Sequence, residues 1–299
     1  MSSWITPPDL ADFVAAGTNA HRVFSSHSAW IERYADDALI SAPDESFISK
    51  LRRELEEWPG FRFRRIFGRL LVHGPGASNV PFQISGPTGE SLQTEVTEAG
   101  VRYRLDFAAG YSTGLFLDQR ANRVRLELLK PKRVLNLFAY TCSFSVVAAL
   151  AGANALSVDL ARKALDWGRR NFQLNGLADS EHGFVAADVR EYLPRLIRRG
   201  EKFDAIILDP PTFSRGGKGK VFQVGREMES LAEKAFRLLN PGGALLLSTN
   251  SRDLPPSHLD RIARDAAARA GCRVEMEAAP ELPDFRGGLA ASTRWAFVR

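Results

Sequence analysis

The sequence predicts an α/β fold, with a seven-stranded, mostly parallel sheet between two layers of helices and a smaller N-terminal α+β domain before it. From residue 132 to the C-terminus, short apolar runs alternate with segments of helical periodicity, which is the pattern of consecutive β–α units. The first run breaks into a turn of small and polar residues before a helix begins. Three further runs end directly at an aspartate, as expected for strands that end at the ligand-binding edge of a parallel sheet.

Composition limits the classes of protein that need to be considered. Of the 299 residues, 44% are hydrophobic, enough to bury a core, and the net charge of +5 permits a nucleic-acid partner without establishing one. The two cysteines, Cys142 and Cys272, cannot make a zinc site alone, and a disulfide framework is not expected. No run of 18 apolar residues and no signal peptide are visible, so we expect a cytoplasmic protein without a membrane partner. Composition leaves open whether it is a monomer or a homodimer.

The N-terminal part, residues 1–98, is predicted to be a small α+β domain and a candidate RNA-binding region. Its first 25 residues resemble a loosely docked arm with one short helix, in which His21 and Arg22 would lie on the solvated surface. Residues 43–58 show the spacing of an amphipathic helix. Residues 61–72 alternate as a strand does, and its arginines would face either RNA or plain solvent. A turn-rich stretch follows at 74–89.

The main domain is predicted to span residues 99–299, with the boundary placed loosely between residues 95 and 130. A strand at 101–107 and a helix at 122–129 lead into it. The seven predicted strands of the sheet are 133–138, 155–158, 183–187, 203–208, 244–248, 273–277 and 295–298. The predicted helices are 144–151, 161–175, 189–199, 225–239 and 257–270. Since the last two strands come late and close together, one of them should be antiparallel to the others.

Polar residues at the carboxyl ends of these strands should converge, because ligands bind there in open parallel sheets. Asp159 lies about 20 residues after the first strand–turn–helix, where such folds hold a ribose. The turn lacks the G-x-G-x-x-G pattern, so an adenosine carrying a small group without phosphate fits better than a dinucleotide. The alternative is that each strand-end aspartate is simply a helix N-cap. The converging residues are Asn136, 140–143, Asp159, Asp188, Asp209 and 249–250.

The segment from Asp209 to Phe213 reads Asp-Pro-Pro-Thr-Phe. Pro210 and Pro211 impose a stiff, extended backbone whose carbonyls can accept hydrogen bonds from the amino group of a base. Phe213 can stack on that base. A proline-stiffened turn with Phe213 in the core is the alternative. The basic loop at 214–220 is either a phosphate contact or an ordinary surface loop.

With these motifs, the chain resembles class I S-adenosylmethionine-dependent methyltransferases, which have a Rossmann-like sheet. More narrowly, it resembles the 23S ribosomal-RNA methyltransferases that include the cytosine-C5 enzyme of type I and the guanine-N7 module of the K/L enzyme. The resemblance spans about residues 100–255, and no G-x-G-x-x-G turn is part of it. It rests on Thr113-Gly-Leu-Phe-Leu-Asp-Gln-Arg120, Val134-Leu-Asn-Leu-Phe-Ala-Tyr-Thr141, Ser157-Val-Asp-Leu160, Leu165-Asp-Trp167, Asn171-Phe-Gln-Leu-Asn-Gly-Leu177, Leu208-Asp-Pro-Pro-Thr-Phe-Ser214, Pro241-Gly-Gly243 and Leu247-Ser-Thr-Asn250.

The resemblance implies that S-adenosyl-L-methionine is the cofactor and assigns roles to residues around it. Asp159 would bind the ribose hydroxyls and Asp188 the adenine amino group, with Leu160 and Val189 beside them. The methionine portion would lie on Asn136, Phe138, Tyr140, Thr141 and Ser143. The preceding segment would cap the cofactor through Thr113, Phe116, Asp118 and Arg120. The catalytic set would be Asp209, Pro210, Phe213 and Asn250, with Asp209 and Pro210 facing both the methyl donor and the target base.

The absence of a cysteine after the fifth strand bears on which atom is methylated. Cytosine C5 is a poor nucleophile, and enzymes that methylate it add a cysteine thiolate to C6. In the cytosine branch that cysteine follows strand five, where this chain reads Ser248-Thr-Asn-Ser251. Guanine N7 carries a free lone pair and needs only positioning, so it is favoured, with Asn250 at the end of the strand. The base must be unpaired or flipped out.

Several alternatives stay open from the sequence. The target atom could be cytosine C5 or an exocyclic amine. The substrate could be a small molecule or a protein instead of ribosomal RNA, either free or in an assembly intermediate. A cofactor-binding RNA assembly factor without catalysis is disfavoured by the intact segment 209–213, and a dehydrogenase by the missing glycine-rich turn.

Overall fold

A computed structural model describes residues 3–72, 78–211, 213–215, 221–251, 254–285 and 290–299. The chain divides into two compact units. The first, unit 1, consists of Met1–Arg120 and Glu281–Leu289, and unit 2 consists of Ala121–Pro280 and Ala290–Arg299. Among the described helices, none is both long and apolar enough to cross a membrane.

Unit 1 contains a six-stranded sheet in the order β1-β2-β3-β4-β5-β6 and a separate hairpin of β7 and β8. Only β4 and β5 pair in parallel within the described sheet. Because β7 and β8 form one antiparallel hairpin, the two units divide after Arg120 rather than after residue 98, inside the range of 95–130 in which the boundary was placed. The elements are β1 Ser3–Trp4, α1 Pro7–Ala15, β2 Ala20–Ser25, β3 Trp30–Tyr34, β4 Asp37–Ala42, α2 Glu45–Glu57, β5 Arg65–Leu70, β6 Phe82–Ser85, β7 Gln93–Glu98 and β8 Val101–Asp106, followed by a single 3-10 turn at Leu117–Gln119.

The amphipathic helix predicted at 43–58 is confirmed as α2. Asp44 caps it, because its Oδ1 accepts a hydrogen bond of 2.8 Å from the backbone N–H of Phe47. Ile48, Leu51 and Leu55 share the buried face at helical spacing. The periodicity and the cap therefore specify this helix locally.

The predicted N-terminal arm is wrong beyond its short helix. β2 is an inner strand between β1 and β3, and all six of its residues are buried. His21 has no exposed surface, and burial lowers its pKa to about 4. Arg22 is buried beside Glu32, with 3.4 Å between Nε and Oε1. Arg22 suggested a solvated segment because its partner, Glu32, lies on another strand. β6, inside the stretch predicted to be turns, was also missed.

Of the four arginines predicted to face RNA or solvent, Arg62 and Arg64 are exposed, whereas the two on β5, Arg65 and Arg69, are buried. Arg65 forms a buried ion pair with Asp37, with Nη2 and Oδ2 2.6 Å apart. Arg69 is buried as well and donates hydrogen bonds to Ser41 Oγ, at 2.7 Å from Nη2. Arg69 Nη2 also lies 3.5 Å from Glu32 Oε2 on β3. Partners on neighbouring strands, which the sequence pattern does not reveal, thus allow these guanidinium groups to be buried.

Unit 2 contains the predicted seven-stranded, mostly parallel sheet, in the order β11-β10-β9-β12-β15-β17-β16. β17 runs antiparallel to both of its neighbours, which confirms the expectation for the last two strands. A short hairpin of β13 and β14 occurs where a loop was expected. The elements are α3 Arg120–Leu129, β9 Arg133–Leu137, α4 Ser143–Leu150, β10 Asn154–Asp159, α5 Arg162–Leu174, β11 Gly183–Ala186, α6 Val189–Arg198, β12 Phe203–Leu208, β13 Phe213–Arg215, β14 Val221–Gln223, α7 Val224–Leu238, β15 Leu239–Thr249, α8 Pro256–Arg269, β16 Val274–Ala278 and β17 Ser292–Val298.

The central strands of unit 2 are largely apolar because both of their faces are covered. On β12, Ile206 lies in a cluster with residues of α6, α7 and α8. Ile207, the next residue, lies in a separate cluster with Phe144 and Ala148 of α4. A strand that is buried on both sides cannot alternate with polar residues, which is why these runs were recognisable in the sequence.

Candidate active site

The carboxyl ends of the parallel strands in unit 2 lie along one edge of the sheet. β9 is the strand at which the order reverses, with β10 and β11 on one side and β12 and β15 on the other. Register places Leu137 of β9 beside Val158 of β10 and beside Leu208 of β12. The predicted residues that follow these strands therefore share one edge, at the switch point where such sheets bind ligands. They are 138–143, Asp159, Asp188, Asp209 and Asn250.

The turn after β9 has an uncommon backbone. Phe138, Tyr140 and Cys142 have positive φ angles of 56°, 46° and 62°, and none of them is glycine or asparagine. Each such residue costs roughly 1–2 kcal/mol, so the surrounding structure must hold the turn in place. Residue types typical of left-handed turns are missing, so the sequence predicted a tight turn without predicting this geometry.

Three groups hold this turn. Asp159 accepts hydrogen bonds of 2.8 Å from Tyr140 N at Oδ2 and from Ala161 N at Oδ1. Asn171, buried on α5, donates from Nδ2 to the carbonyl of Thr141 at 3.0 Å. Gly168 lets α5 approach closely, because a Cβ at that position would lie 2.4 Å from Cys142 Sγ. Asp159 was expected here from the sequence, whereas Asn171 and Gly168 had no predicted role.

The Asp159 carboxylate is half-buried, and burial raises its pKa. A carboxylate has about four acceptor positions, and the two hydrogen bonds to backbone N–H groups occupy one on each oxygen. The carboxylate thus ties the turn to the end of β10 and can still accept further donors. This geometry is compatible with the predicted ribose contact, which stays a prediction.

Beneath the turn lies a chain of buried polar side chains. Asn136 donates from Nδ2 to Ser145 Oγ at 2.9 Å, and Ser145 Oγ lies 2.8 Å from Ser157 Oγ. All three side chains are buried between β9, β10 and α4. Asn136 therefore supports the turn from below, and its predicted contact with the methionine portion stays a prediction.

Asp188 is the N-cap of α6, as the alternative interpretation of strand-end aspartates proposed. Its Oδ1 accepts from Arg190 N at 2.9 Å, and its Oδ2 lies 2.6 Å from Arg190 Nη2. Val189 beside it is buried, whereas Leu160 at the end of β10 is 46% exposed. The predicted adenine contact of Asp188 would have to coexist with Arg190.

The proposed base-facing residues follow β12 and β15. Asp209 is half-buried, Pro210 is buried and Asn250 is exposed. Phe213 begins β13 and pairs with Gln223 of β14. Thr212 and the basic segment 216–220 lie outside the described residues.

The predicted capping segment lies at the end of unit 1. Thr113 is buried, Asp118 is half-buried and Phe116 is 36% exposed. The guanidinium of Arg120 lies 2.5 Å from Asp284 Oδ1 and also donates to the carbonyl of Ala20. Arg120 is thereby anchored within unit 1, and the capping roles stay predictions.

Comparison with known proteins agrees with this arrangement. Ribosomal RNA large subunit methyltransferase K of Neisseria meningitidis is 39% identical over 174 residues, which cover 57% of this chain and 49% of that protein. Methyltransferase I of the same kind from Klebsiella pneumoniae is 39% identical over 215 residues, covering 71% and 51%. The chain thus spans about half the length of the curated relatives it matches.

Solved structures share the fold over nearly the whole chain. SMU.776, determined as a complex with SAH, matches with a TM-score of 0.80 and 25% identity, over 99% of this chain and 82% of that one. A SAM-dependent methyltransferase from Agrobacterium tumefaciens gives a TM-score of 0.73 at 23% identity, over 95% and 91%, which supports the fold alone.

The family model for S-adenosylmethionine-dependent methyltransferases matches residues 30–294. This match confirms the cofactor and the enzyme class that the sequence motifs indicated. It extends over most of unit 1 as well as unit 2. The chain belongs to the S-adenosylmethionine-dependent methyltransferase family.

Proposed function

We propose that this protein transfers a methyl group from S-adenosylmethionine to a base of large-subunit ribosomal RNA, and that the acceptor is guanine N7. The names of its relatives support an RNA substrate, since they are large-subunit ribosomal RNA methyltransferases of types K, I and K/L. The choice of atom rests on one observation, namely where the only two cysteines lie.

Cys142 is unsuited to nucleophilic attack. Its side chain is fully buried beneath the turn, against Gly168 of α5. Burial raises the pKa of its thiol to about 12, so almost none is thiolate at neutral pH. Its Sγ lies 3.7 Å from the carbonyl of Tyr140, which is part of the turn itself. Because Cys142 has no exposed surface, a base bound at the carboxyl edge of the sheet cannot contact its sulfur atom.

Cys272 lies near the amino ends of the parallel strands, opposite the edge that contains Asp209. It precedes β16, whose first residue, Val274, pairs with Val298 of β17. The adjacent Phe297 pairs with Ala244, early in β15, whereas the carboxyl end of β15 is Thr249. Cys272 is therefore on the amino side of the sheet, away from Asp209. Since the sequence has only these two cysteines, it offers no thiolate for addition to cytosine C6.

Methylation at guanine N7 requires less of the protein. S-adenosylmethionine would supply an electrophilic methyl group, which would pass to the N7 lone pair as its bond to sulfur breaks and S-adenosylhomocysteine is released. The protein must hold the base in line with that methyl group and exclude water. Asp209 and Pro210 after β12 and Asn250 after β15 are neighbours along the sheet edge, where they can accept from or donate to the base.

The test is transfer of a labelled methyl group from S-adenosylmethionine to protein-free 23S RNA, with the modified nucleoside identified by mass. We expect 7-methylguanosine. The variant Cys142→Ala/Cys272→Ala should give the same product, because no step uses a thiol. Production of 5-methylcytosine, or loss of transfer in a folded double variant, would refute the assignment of N7. Absence of RNA labelling, with intact cofactor binding and with assembled particles also unlabelled, would refute an RNA substrate.

A further inference from the structure

We propose that the exposed face of α5 binds phosphate groups of the RNA substrate beside the target base. This inference rests on the proposed RNA substrate and adds a docking surface to it. We call this surface the α5 basic face and define it by Arg162, Lys163 and Arg170, whose side chains are all exposed.

The charged side chains of the α5 basic face have no partners among the described residues. In the described part of the chain, none of its three side chains makes an ion pair or a hydrogen bond. By contrast, two other exposed arginines of unit 2 are paired, Arg133 with Glu201 at 2.7 Å and Arg237 with Glu233 at 2.6 Å. Asp166 is the one acidic residue on the same stripe of α5, so the stripe keeps an excess of positive charge.

These charges are also unfavourable for the helix. Arg162 and Lys163 occupy its first turn, where cations oppose the helix dipole at a cost of about 0.3–1 kcal/mol each. The first turn contains no acidic residue, and Ala161 provides no side-chain cap. By contrast, Asp188 caps α6. Folding of α5 thus relies on its buried face, and its N-terminal cations need another explanation.

The location of α5 provides that explanation. Arg162 follows Asp159 by only three residues, so the α5 basic face begins at the carboxyl edge of the sheet. β10 lies two strands from β12, or about 10 Å along that edge. RNA whose base is held at Asp209 therefore brings neighbouring phosphates within reach of α5. Trp167 lies about one turn further along α5, and its ring centroid is 6.2 Å from that of Tyr140 in the turn after β9.

The RNA backbone is the partner whose charge matches this surface. It presents one negative charge per nucleotide, and exposed lysine and arginine side chains bind it without selecting sequence. The α5 basic face would then position the RNA, while the residues after β12 and β15 would choose the base.

The test compares two triple variants with the same loss of charge. The first neutralises the α5 basic face, and the second neutralises three exposed arginines at the C-terminal end of α6, on the opposite edge of the sheet. Cations are favourable at a helix C-terminus, so those arginines have a local role. The variants are Arg162→Gln/Lys163→Gln/Arg170→Gln and Arg195→Gln/Arg198→Gln/Arg199→Gln.

The measurement is the affinity for a fragment of 23S RNA as a function of salt concentration, with the affinity for S-adenosylmethionine as the control for folding. We expect the α5 variant to lower the slope of log K against log salt by about 2, at roughly 0.7 per lost phosphate contact. The KM for RNA should rise, while kcat at saturating RNA stays the same. The α6 variant should match the wild type.

An unchanged slope in the α5 variant would overturn the inference while leaving RNA methylation by the wild type intact. An equal loss in both triple variants would overturn it too, since net charge alone would then explain the effect. If the α5 variant is poorly folded, the single variant Arg170→Gln, predicted to lower the slope by about 0.7, decides the matter. Absence of RNA binding and methylation by the wild type would instead refute the proposed function.

Discussion

Gly168 is predicted to be essential for the shape of the turn after β9. In Gly168→Ala, the added methyl group would lie 2.4 Å from Cys142 Sγ and 2.9 Å from Cys142 Cβ. Ordinary contact begins at 3.4 Å, so α5 and the turn must separate by about 1 Å. Neither side can yield easily, because Asn171 ties α5 to the carbonyl of Thr141 and Asp159 ties the turn to β10.

The magnitude follows from two opposing effects. Replacement of a helical glycine by alanine stabilises a helix by up to about 1 kcal/mol. Overpacking of a well-packed core typically costs about 1–3 kcal/mol. Gly225 in α7 is a matched control, because a Cβ there would meet nothing within 4 Å. Gly168→Ala should therefore be about 1–3 kcal/mol less stable than Gly225→Ala, which amounts to roughly 2–4 °C in Tm for each kcal/mol.

The assay combines thermal unfolding, calorimetric binding of S-adenosylmethionine and methyl transfer. A shift of about 1 Å at the reacting groups can cost up to about 100-fold in rate, so kcat/KM should fall steeply in Gly168→Ala and remain normal in Gly225→Ala. Adding Cys142→Gly should restore function, because it removes both clashing atoms and suits the left-handed backbone. If Gly168→Ala is as stable as Gly225→Ala and binds the cofactor normally, this account of the turn is wrong.

Three further predictions concern the strand-end aspartates and the two cysteines. Asp209→Ala should abolish transfer and largely preserve cofactor binding, whereas Asp159→Ala should mainly weaken binding in calorimetry; equal loss of binding in both would contradict this division. Because burial raises the pKa of Asp159, the unfolding free energy of the wild type relative to Asp159→Asn should be highest below the ordinary carboxyl pKa. This difference in unfolding free energy should fall as the pH rises through the raised pKa. Denaturation at a series of pH values measures it, and a difference that grew with pH would contradict the argument. Iodoacetamide at pH 8 should modify the half-buried Cys272 before the buried Cys142, and methyl transfer should be unaffected. Peptide mass analysis that showed Cys142 modified first would contradict the argument from burial.

The sequence alone was sufficient for the parallel sheet of unit 2. Apolar runs and helical periodicity arise from burial, which is decided residue by residue, and β12 begins and ends where the pattern placed it. The polar residues that follow the strands also needed no tertiary information, because parallel strands bring their carboxyl ends to one edge. Asp159 was identified in this way.

Only the tertiary structure decided how buried polar residues are paired. Arg22 and Arg65 suggested a solvated surface because the carboxylates that pair with them lie on other strands. Likewise, position 168 requires glycine because Cys142, which precedes β10 in the sequence, packs against it. The order of the strands decides at which edge of the sheet Cys272 lies. Periodicity records whether a residue is buried, whereas its partner depends on contacts between distant parts of the chain. The sequence therefore determined the sheet and its functional edge, and the tertiary structure decided which groups hold that edge in shape.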